Sequence, residues 1–337
     1  MLARVAEALY WTARNLERAE TLSRLLEVSN ALALEGASNG QASRRVWEPV
    51  VEVTGDLASF LETHRRADER SVSWFLTMNP VNPNSILACA TKARLNARSV
   101  RDLLPTEVWE GINATYLDVL GWTPRRLARE GIYPFCTMVR RASHLIQGFV
   151  DQEMRHDEAW QFMRLGRFLE RAEKSARLLE VKFHVMSSDD PVLGAPLELH
   201  QWRALLSSAA AQEAYLHMDA SELSPQAVAG FLVMDELFPR SVLFCLNEVE
   251  ASIRALVDWG VSPPDPPALG IAAAARGMLL DLPALPADRR LAVLLDQIQA
   301  RCNDIGEAIA ETCFAYPHDD PTGHDRQRPQ AARQAQN

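Results

Sequence analysis

Apolar residues recur at helical spacing along almost the whole chain. No run alternates between apolar and polar positions with the Val, Ile and Thr enrichment that is typical of a strand. The pattern therefore predicts an all-α protein. We expect a first long helix from Leu2 to the mid-thirties and a second from Trp47 to about Arg66, because glycines between residues 36 and 40 interrupt the periodicity.

Further breaks divide the rest of the chain. Residues 133–153 and 157–186 are predicted helices, and a last long helix should run from Pro286 to near Tyr316. After His318 hardly any apolar group remains, so a disordered tail is expected there.

Prolines indicate where other helices begin. Pro83 and Pro239 should each stand in the opening turn of a helix, where a missing N–H costs nothing. Asn82 is the predicted cap before the first, and Ser224 followed by Pro225 repeats the same signal.

Two blocks of the sequence are repeated. Residues 13–28 agree with residues 166–181 at 11 of 16 positions, and residues 75–89 agree with residues 231–245 at 7 of 15. The offsets, 153 and 156, are nearly equal, which favours a duplicated unit over coincidence. We therefore predict an internally duplicated multi-helix bundle whose two similar halves pack together. The expected divisions are 1–155, 156–317 and a disordered tail, 318–337.

The repeated helix has an unusual distribution of charge. When each residue is placed 100° further around the helix axis, apolar side chains occupy most of the circumference, and charged side chains lie on the same face as some of them. Such a helix is expected inside the bundle, where the charged rows of the two copies would face each other. The residues of these rows are Arg14, Glu17, Arg18, Glu20 and Arg24 in the first copy and Arg167, Glu170, Arg171, Glu173 and Arg177 in the second.

Three interpretations of these rows remain open. The first is an ion-pair lattice that fixes how the halves dock, because buried charges must be paired. The second is a pocket in which arginines bind an anionic or peptide-like ligand, since the guanidinium fork suits carboxylate and phosphate. The third is acid–base catalysis by the glutamates, although paired helical carboxylates alone define no reaction.

Charge and hydropathy exclude several classes of partner. The net charge of −9 and pI near 5.5 argue against a broad nucleic-acid or anionic-membrane surface. No apolar run approaches the roughly 20 residues that span a bilayer, and no signal-peptide core follows Met1, so a cytoplasmic protein is expected.

Cofactor chemistry is not indicated. The five cysteines are widely spaced and contain no Cys-x-x-Cys pair, so neither a disulfide framework nor a zinc site is predicted, and Cys89 and Cys245 are expected to be small buried helix residues. The segment from Glu153 to His156 is the one Glu-x-x-His in the chain, whereas a di-metal bundle needs two. We predict no metal and no cofactor.

Four stretches of the chain resemble the bacterial Alpha-E family. The stretches are MLARVAEALYWTARNLERAETLSRLLEV, NPNSILACATKARLNARSVRDLLPTEVWEGINATY, DEAWQFMRLGRFLERAEKSARLLEVK and FPRSVLFCLNEV. The resemblance extends from residue 1 to about 316. It implies an all-helical protein of unsettled biochemical role, whose genes commonly lie beside those of a circularly permuted ATP-grasp protein and a transglutaminase-like protein. Such neighbourhoods suggest peptide ligation or modification.

The resemblance also implies candidate binding residues. Besides the Arg and Glu rows, these are Asn96, Arg98, Trp109, Glu110 and Asn113. Leu95 departs from the family pattern, which has an acidic residue there, so a ligand contact at this position would be altered. Packing of a helix face on the bundle is the competing explanation for Trp109 and Asn113.

Together these observations lead to a functional hypothesis. The chain is expected to be a helical accessory or partner subunit of an ATP-grasp-dependent peptide ligation or modification system, with the Arg/Glu rows as a ligand or docking site. The alternative is a stand-alone enzyme of amide or peptide chemistry, possibly metal-assisted, that uses the same rows.

Overall fold

A computed structural model describes residues 1–37, 44–187, 195–218, 223–282, 285–286 and 289–315. Within these ranges the regular elements are helices, which confirms the all-α prediction. They are α1 (Ala3–Ala37), α2 (Arg44–Thr54), α3 (Leu57–Thr63), α4 (Glu69–Thr77), α5 (Ile86–Ser99), α6 (Thr106–Leu120), α7 (Pro124–Glu130), α8 (Ile132–Glu153), α9 (Glu158–Ser187), α10 (Ala195–Ser208), α11 (Gln212–His217), α12 (Pro225–Met234), α13 (Val242–Asp258), α14 (Pro267–Leu280) and α15 (Arg289–Ile309). A 3₁₀ turn occupies Arg101–Leu103, and a π-helical turn, Ala310–Phe314, continues α15.

The two longest helices, α1 and α9, lie side by side at the centre. Helix α1 packs against α9, α5 and α8, while α9 packs against α1, α13 and α15. Because neighbours surround both helices, neither has a single apolar stripe facing a core and a polar face in water. This arrangement explains the apolar residues around most of their girth.

Apolar packing joins distant parts of the sequence. One core cluster includes Leu9 of α1, Leu169 of α9 and Phe314 near the end of the described chain. A second cluster places Leu26 of α1 against Trp47 and other side chains of the first 139 residues. Helix α1 therefore contributes to both cores.

The prediction of one continuous helix over residues 47–66 is wrong. The chain forms α2 and α3 instead, separated at Gly55, which has φ +81°. Only glycine adopts this conformation without strain, so the helix must end there. An added Cβ at Gly55 would also lie 3.1 Å from Nη1 of Arg177.

The predicted cap of α5 is also wrong. Ser85 caps the helix by accepting a hydrogen bond from the N–H of Ala88. Asn82 shapes the preceding turn instead, accepting from the Asn84 N–H and donating to the Phe75 carbonyl. The proline at 83 thus stands before the cap and not in the first turn.

In the second repeated block the proline also stands before the helix cap. Pro239 precedes Ser241, and Ser241 caps α13. By contrast, Ser224 caps α12 with Pro225 in its first turn, as predicted.

Several expectations fall outside the described residues. These are most of the interruption at residues 36–40, the residues that follow the predicted helix 157–186, and the disordered tail, 318–337. In the part of the chain that the structure describes, every helix is too short or too polar to cross a lipid bilayer.

Candidate functional site

Helices α1 and α9 approach closely at Gly166. A Cβ added there would lie 2.3 Å from the backbone oxygen of Tyr10, so the backbones meet with no side chain between them. Glycine is the residue that allows this approach. One turn further along, the charged rows of the two helices come face to face. We call these rows and the side chains that complete them the seam.

The centre of the seam is a pair of matched two-point contacts. Arg18 donates from Nε and Nη2 to the two oxygens of Glu170, at 2.7 and 3.0 Å. Arg171 donates from the same atoms to the two oxygens of Glu17, at 2.7 and 2.8 Å. Each arginine thus uses its guanidinium fork on the glutamate of the other helix, the geometry in which arginine–carboxylate pairs are strongest.

Two further arginines bridge neighbouring glutamates. Arg14 donates to Glu170 at 2.8 Å and to Glu173 at 3.0 Å. On the other side, Arg240 donates to Glu17 and Glu20, at 3.0 Å in each case. Every one of the four glutamates therefore has a guanidinium partner across the seam.

The bridging arginines do not occupy equivalent positions in the two repeated blocks. The counterpart of Arg14 at an offset of 153 is Arg167, which pairs with Asp151 at 3.2 Å. The counterpart of Arg240 at an offset of 156 is Asn84, whose Oδ1 accepts from Nη1 of Arg18 at 2.8 Å. The seam is therefore matched at its centre and different at its ends.

Other polar groups close the edges of the seam next to Glu17 and Glu20. Gln147 donates to Glu17 at 3.1 Å, and Nε2 of His144 lies 3.3 Å from Oε1 of Glu20. Arg24 donates to Glu20 from Nε.

Residues of α9 close the opposite edge. Lys174 donates to Glu173 at 3.0 Å. Nη2 of Arg177 is 3.8 Å from the same carboxylate. Arg24 and Arg177, both predicted from the sequence, thus lie at the margins of the seam.

Burial makes the seam strongly electrostatic. The residues Glu17 and Glu170 are 0 % exposed, and Arg14 and Arg171 are 7 % exposed. Burial by itself raises the pKa of Glu170, but the guanidiniums of Arg18 and Arg14 outweigh it and hold that pKa well below 4.5.

The remaining glutamates of the seam behave in the same way. Burial raises the pKa of Glu20, while Arg240, a hydrogen bond with His144 and Arg24 lower it to a net value below the usual range. Burial also raises the pKa of Glu17 and that of Glu173, but Arg171 and Arg240 at Glu17, and Lys174 and Arg14 at Glu173, lower both on balance. All four carboxylates are therefore ionised at neutral pH.

This geometry favours the ion-pair lattice over the catalytic interpretation. A general base needs a free lone pair within reach of a substrate proton. Here the carboxylates are buried, ionised and occupied by arginines. A buried pair whose hydrogen bonds are satisfied can hold two elements in one register.

Five predicted binding residues lie elsewhere. Asn96 and Arg98 are on α5, and Trp109, Glu110 and Asn113 are on α6. The two on α5 stay outside the seam because α5 turns Ala93 and Ala97 to the core, which leaves Arg98 exposed on another face.

Local contacts account for two of these five. Asn113 accepts from Nε of Arg94 at 2.7 Å, and the guanidinium of Arg101 lies 5.4 Å from the ring centre of Trp109. This placement fits the packing explanation for both side chains.

Metal ligands are not grouped in the described residues: no cluster of three or more His, Cys, Asp and Glu side chains could hold an ion. Glu153 ends α8, and His156 stacks on Trp160 with ring centres 4.0 Å apart. The Glu-x-x-His segment is therefore not a turn of one helix. Cys89 and Cys245 are buried helix residues, as predicted, and burial raises the pKa of the Cys89 thiol to about 11.

Sequence reasoning missed six residues of the seam, His144 and Lys174 among them. Tyr10 accepts from Arg14 at 3.1 Å, and Asn84, Gln147 and Arg240 take part as described above. Two of them, Asn84 and Arg240, could have been found from the second repeated block, because it aligns these residues with each other next to equivalent helix caps. Gln147 carried no such signal.

Comparisons with known proteins agree with this architecture. Residues 1–314 match the Alpha-E family, described as a predicted alpha-helical domain with a conserved ER motif. Glu-Arg pairs stand at 17–18 and 170–171 in the centre of the seam, and a third is at 69–70.

The chain is also similar to uncharacterised proteins of Mycobacterium bovis and Mycobacterium tuberculosis. Each is 24 % identical over 93 % of this chain, and the chain spans only 37 % of the length of these relatives. No solved structure matches. Since the family match covers nearly all of the described residues, the chain belongs to the Alpha-E family.

Proposed function

We propose that this protein is a non-catalytic helical subunit of an ATP-grasp-dependent peptide ligation or modification system in the cytoplasm. In this proposal its partners are a circularly permuted ATP-grasp protein and a transglutaminase-like protein. The seam serves as the internal frame that fixes α1 against α9, so that the outer helices present one rigid surface to a partner.

The observation that carries the proposal is the closed state of the seam. Each of Glu17, Glu20, Glu170 and Glu173 is buried and bound by at least one arginine. A substrate would have to displace a buried guanidinium before it met a carboxylate, and leaving such a charge unpaired is costly. An internal frame has no substrate that must reach these carboxylates.

Two further observations support a role beside other proteins. The Alpha-E resemblance implies the neighbouring ATP-grasp and transglutaminase-like genes. In the mycobacterial relatives the matching region is joined to much additional sequence, because it covers 37 % of their length. A domain that occurs within longer chains is suited to work beside further modules.

We also propose that the two halves, 1–155 and 156–317, arose by duplication. The paired contacts of Arg18 with Glu170 and of Arg171 with Glu17 support this origin, since both use the same atoms at nearly the same distances. The equivalent caps Ser85 and Ser241 support it as well.

Co-expression with the two proposed partners tests the function. We expect the chain to co-purify with the ATP-grasp protein and to raise the amount of its ATP-dependent product. Absence of a complex, together with unchanged product when the chain is deleted, would remove the proposal.

A second experiment separates a frame from an enzyme. The purified chain is given peptide and amide substrates, with its metal content measured by elemental analysis. Turnover by the isolated chain that is lost in Glu17→Gln and Glu170→Gln, while folding is retained, would replace the proposal with the stand-alone enzyme. If the seam is a frame, these variants lower stability but leave partner activity per folded molecule intact.

A further inference from the structure

Arg167 is the one residue of the predicted rows whose ion pair turns away from the seam. Its counterpart, Arg14, bridges Glu170 and Glu173. Arg167 would bridge Glu17 and Glu20 by the same geometry, but Arg240 occupies that place. Arg167 is thus displaced toward the junction of α1, α8 and α9.

A small pocket opens at this junction. Its apolar wall includes Leu16, Ile146, Val150 and Met163, and Arg167, Asp151, Gln147 and Trp160 are among its polar lining residues. The pocket has a volume of about 20 Å³, enough for a group of about the size of a water molecule. The pocket is partly open to solvent, so a longer ligand would leave most of its length outside.

Two N–H groups of the lining residues have no acceptor among the described residues. They are Nε of Arg167 and Nε1 of Trp160, and both are buried. Buried donors are normally paired, so two unpaired donors on residues that line one pocket indicate that an acceptor is missing beside it.

The ion pair that now holds Arg167 is easily exchanged. Asp151 meets only Nη1 of Arg167, at 3.2 and 3.5 Å, and its side chain is 40 % exposed. This carboxylate can turn into water at little cost, because a partly exposed single-point pair is weak. An incoming carboxylate could then take two guanidinium nitrogens at once.

From this geometry we propose that the pocket binds the carboxylate of a small aliphatic acid or of the C-terminal residue of a peptide. Arg167 holds the carboxylate in place of Asp151, Trp160 offers its ring N–H, and the apolar wall takes the attached methyl or methylene group. This site adjoins the seam, with which it shares Gln147, and it does not depend on the proposed partners.

Titration calorimetry on the full chain tests the site with three probes: propionate, acetyl-alanyl-alanine, and the C-terminal amide of that peptide. We expect the carboxylates to bind and the amide to fail. Binding of propionate alone identifies a free acid as the ligand, whereas binding of the peptide acid as well identifies a peptide C-terminus. Equal binding of acid and amide, or no binding of either acid, overturns the proposal.

Variants of the ion pair give opposite predicted changes. Arg167→Gln should abolish binding, and Arg167→Lys should weaken it because lysine has no Nε–H fork. Asp151→Asn removes the competing carboxylate and should tighten binding by about tenfold. A general loss of folding cannot tighten binding, so Asp151→Asn keeps the test decisive even if the arginine variants are unstable.

Arg301→Gln, on the exposed face of α15, is the matched control and should leave binding unchanged. Thermal melts of every variant show whether the fold persists. Wild-type affinity in Arg167→Gln, or weaker binding in Asp151→Asn, would contradict the assignment of Arg167.

Discussion

Arg171 of α9 holds Glu17 of α1 through two nearly equal hydrogen bonds of 2.7 and 2.8 Å, in a position where the carboxylate has no contact with solvent. The two residues are 154 positions apart in the chain. Their contact joins the two central helices of the bundle, so the stability of the whole fold should depend on it.

Loss of the Glu17 charge should be strongly destabilising. Glu17→Gln leaves the buried guanidinium of Arg171 without its counter-ion and leaves Arg240 with Glu20 alone, and breaking a buried pair in this way costs about 3–5 kcal/mol. Urea denaturation measures the free energy of unfolding. Asp304→Asn, which breaks the exposed pair with Arg301, is the control and should cost under about 1 kcal/mol. Equal losses in the two variants would show that the seam is not a frame.

The two-point contacts should not tolerate lysine. Arg18→Lys and Arg171→Lys each replace a planar fork by a single ammonium, so one of the two hydrogen bonds to the facing carboxylate is lost in each variant. We expect each to lower the free energy of unfolding by about 1–3 kcal/mol. Because the two contacts are matched, the losses should be similar. A large effect at one position and none at the other would contradict their equivalence.

Stability should fall in acid. The pKa values of Glu20 and Glu170 are lowered in the folded protein, whereas an unfolded glutamate titrates near 4.5. Unfolded chains therefore bind protons first as the pH drops, and the contribution of the seam is complete above about pH 5.5 and lost progressively below about pH 4.5.

Urea midpoints between pH 7 and pH 3 measure this dependence. The variant Glu170→Gln has one fewer carboxylate with a lowered pKa, so its stability should depend less steeply on pH in the acidic range. A wild-type midpoint that stays constant down to pH 3 would contradict the electrostatic account of the seam.

Gly166 and Gly148 should respond to alanine in opposite directions. Both are inside helices, where Gly→Ala ordinarily stabilises by about 0.5–1 kcal/mol. Gly148→Ala should show this gain, since a Cβ there meets nothing within 4 Å. Gly166→Ala should destabilise instead, because its Cβ would lie 2.3 Å from the backbone oxygen of Tyr10. Thermal melts of the two variants show whether each alanine raises or lowers the stability. A stable Gly166→Ala protein would show that α1 and α9 can separate there.

Local sequence patterns determined the helices of this protein. The 3.6-residue period predicted α1, α8 and α9 to within a few residues, and the charged rows predicted that α1 and α9 are buried. The pattern did not reveal the break at Gly55, because a lone glycine inside a periodic run does not show whether its φ is positive.

The repeated block predicted the arginines and glutamates at the centre of the seam, but only the tertiary structure decided how they pair and which other side chains join them. Arg14 and Arg167 are equivalent in sequence, yet one bridges two glutamates of the seam and the other meets Asp151. Helical periodicity fixes the face on which a side chain lies, but not the distance or rotation of the helix opposite. Those depend on the close approach at Gly166 and on Arg240, which reaches the seam from a different part of the chain. The pairing is therefore a property of the packed bundle.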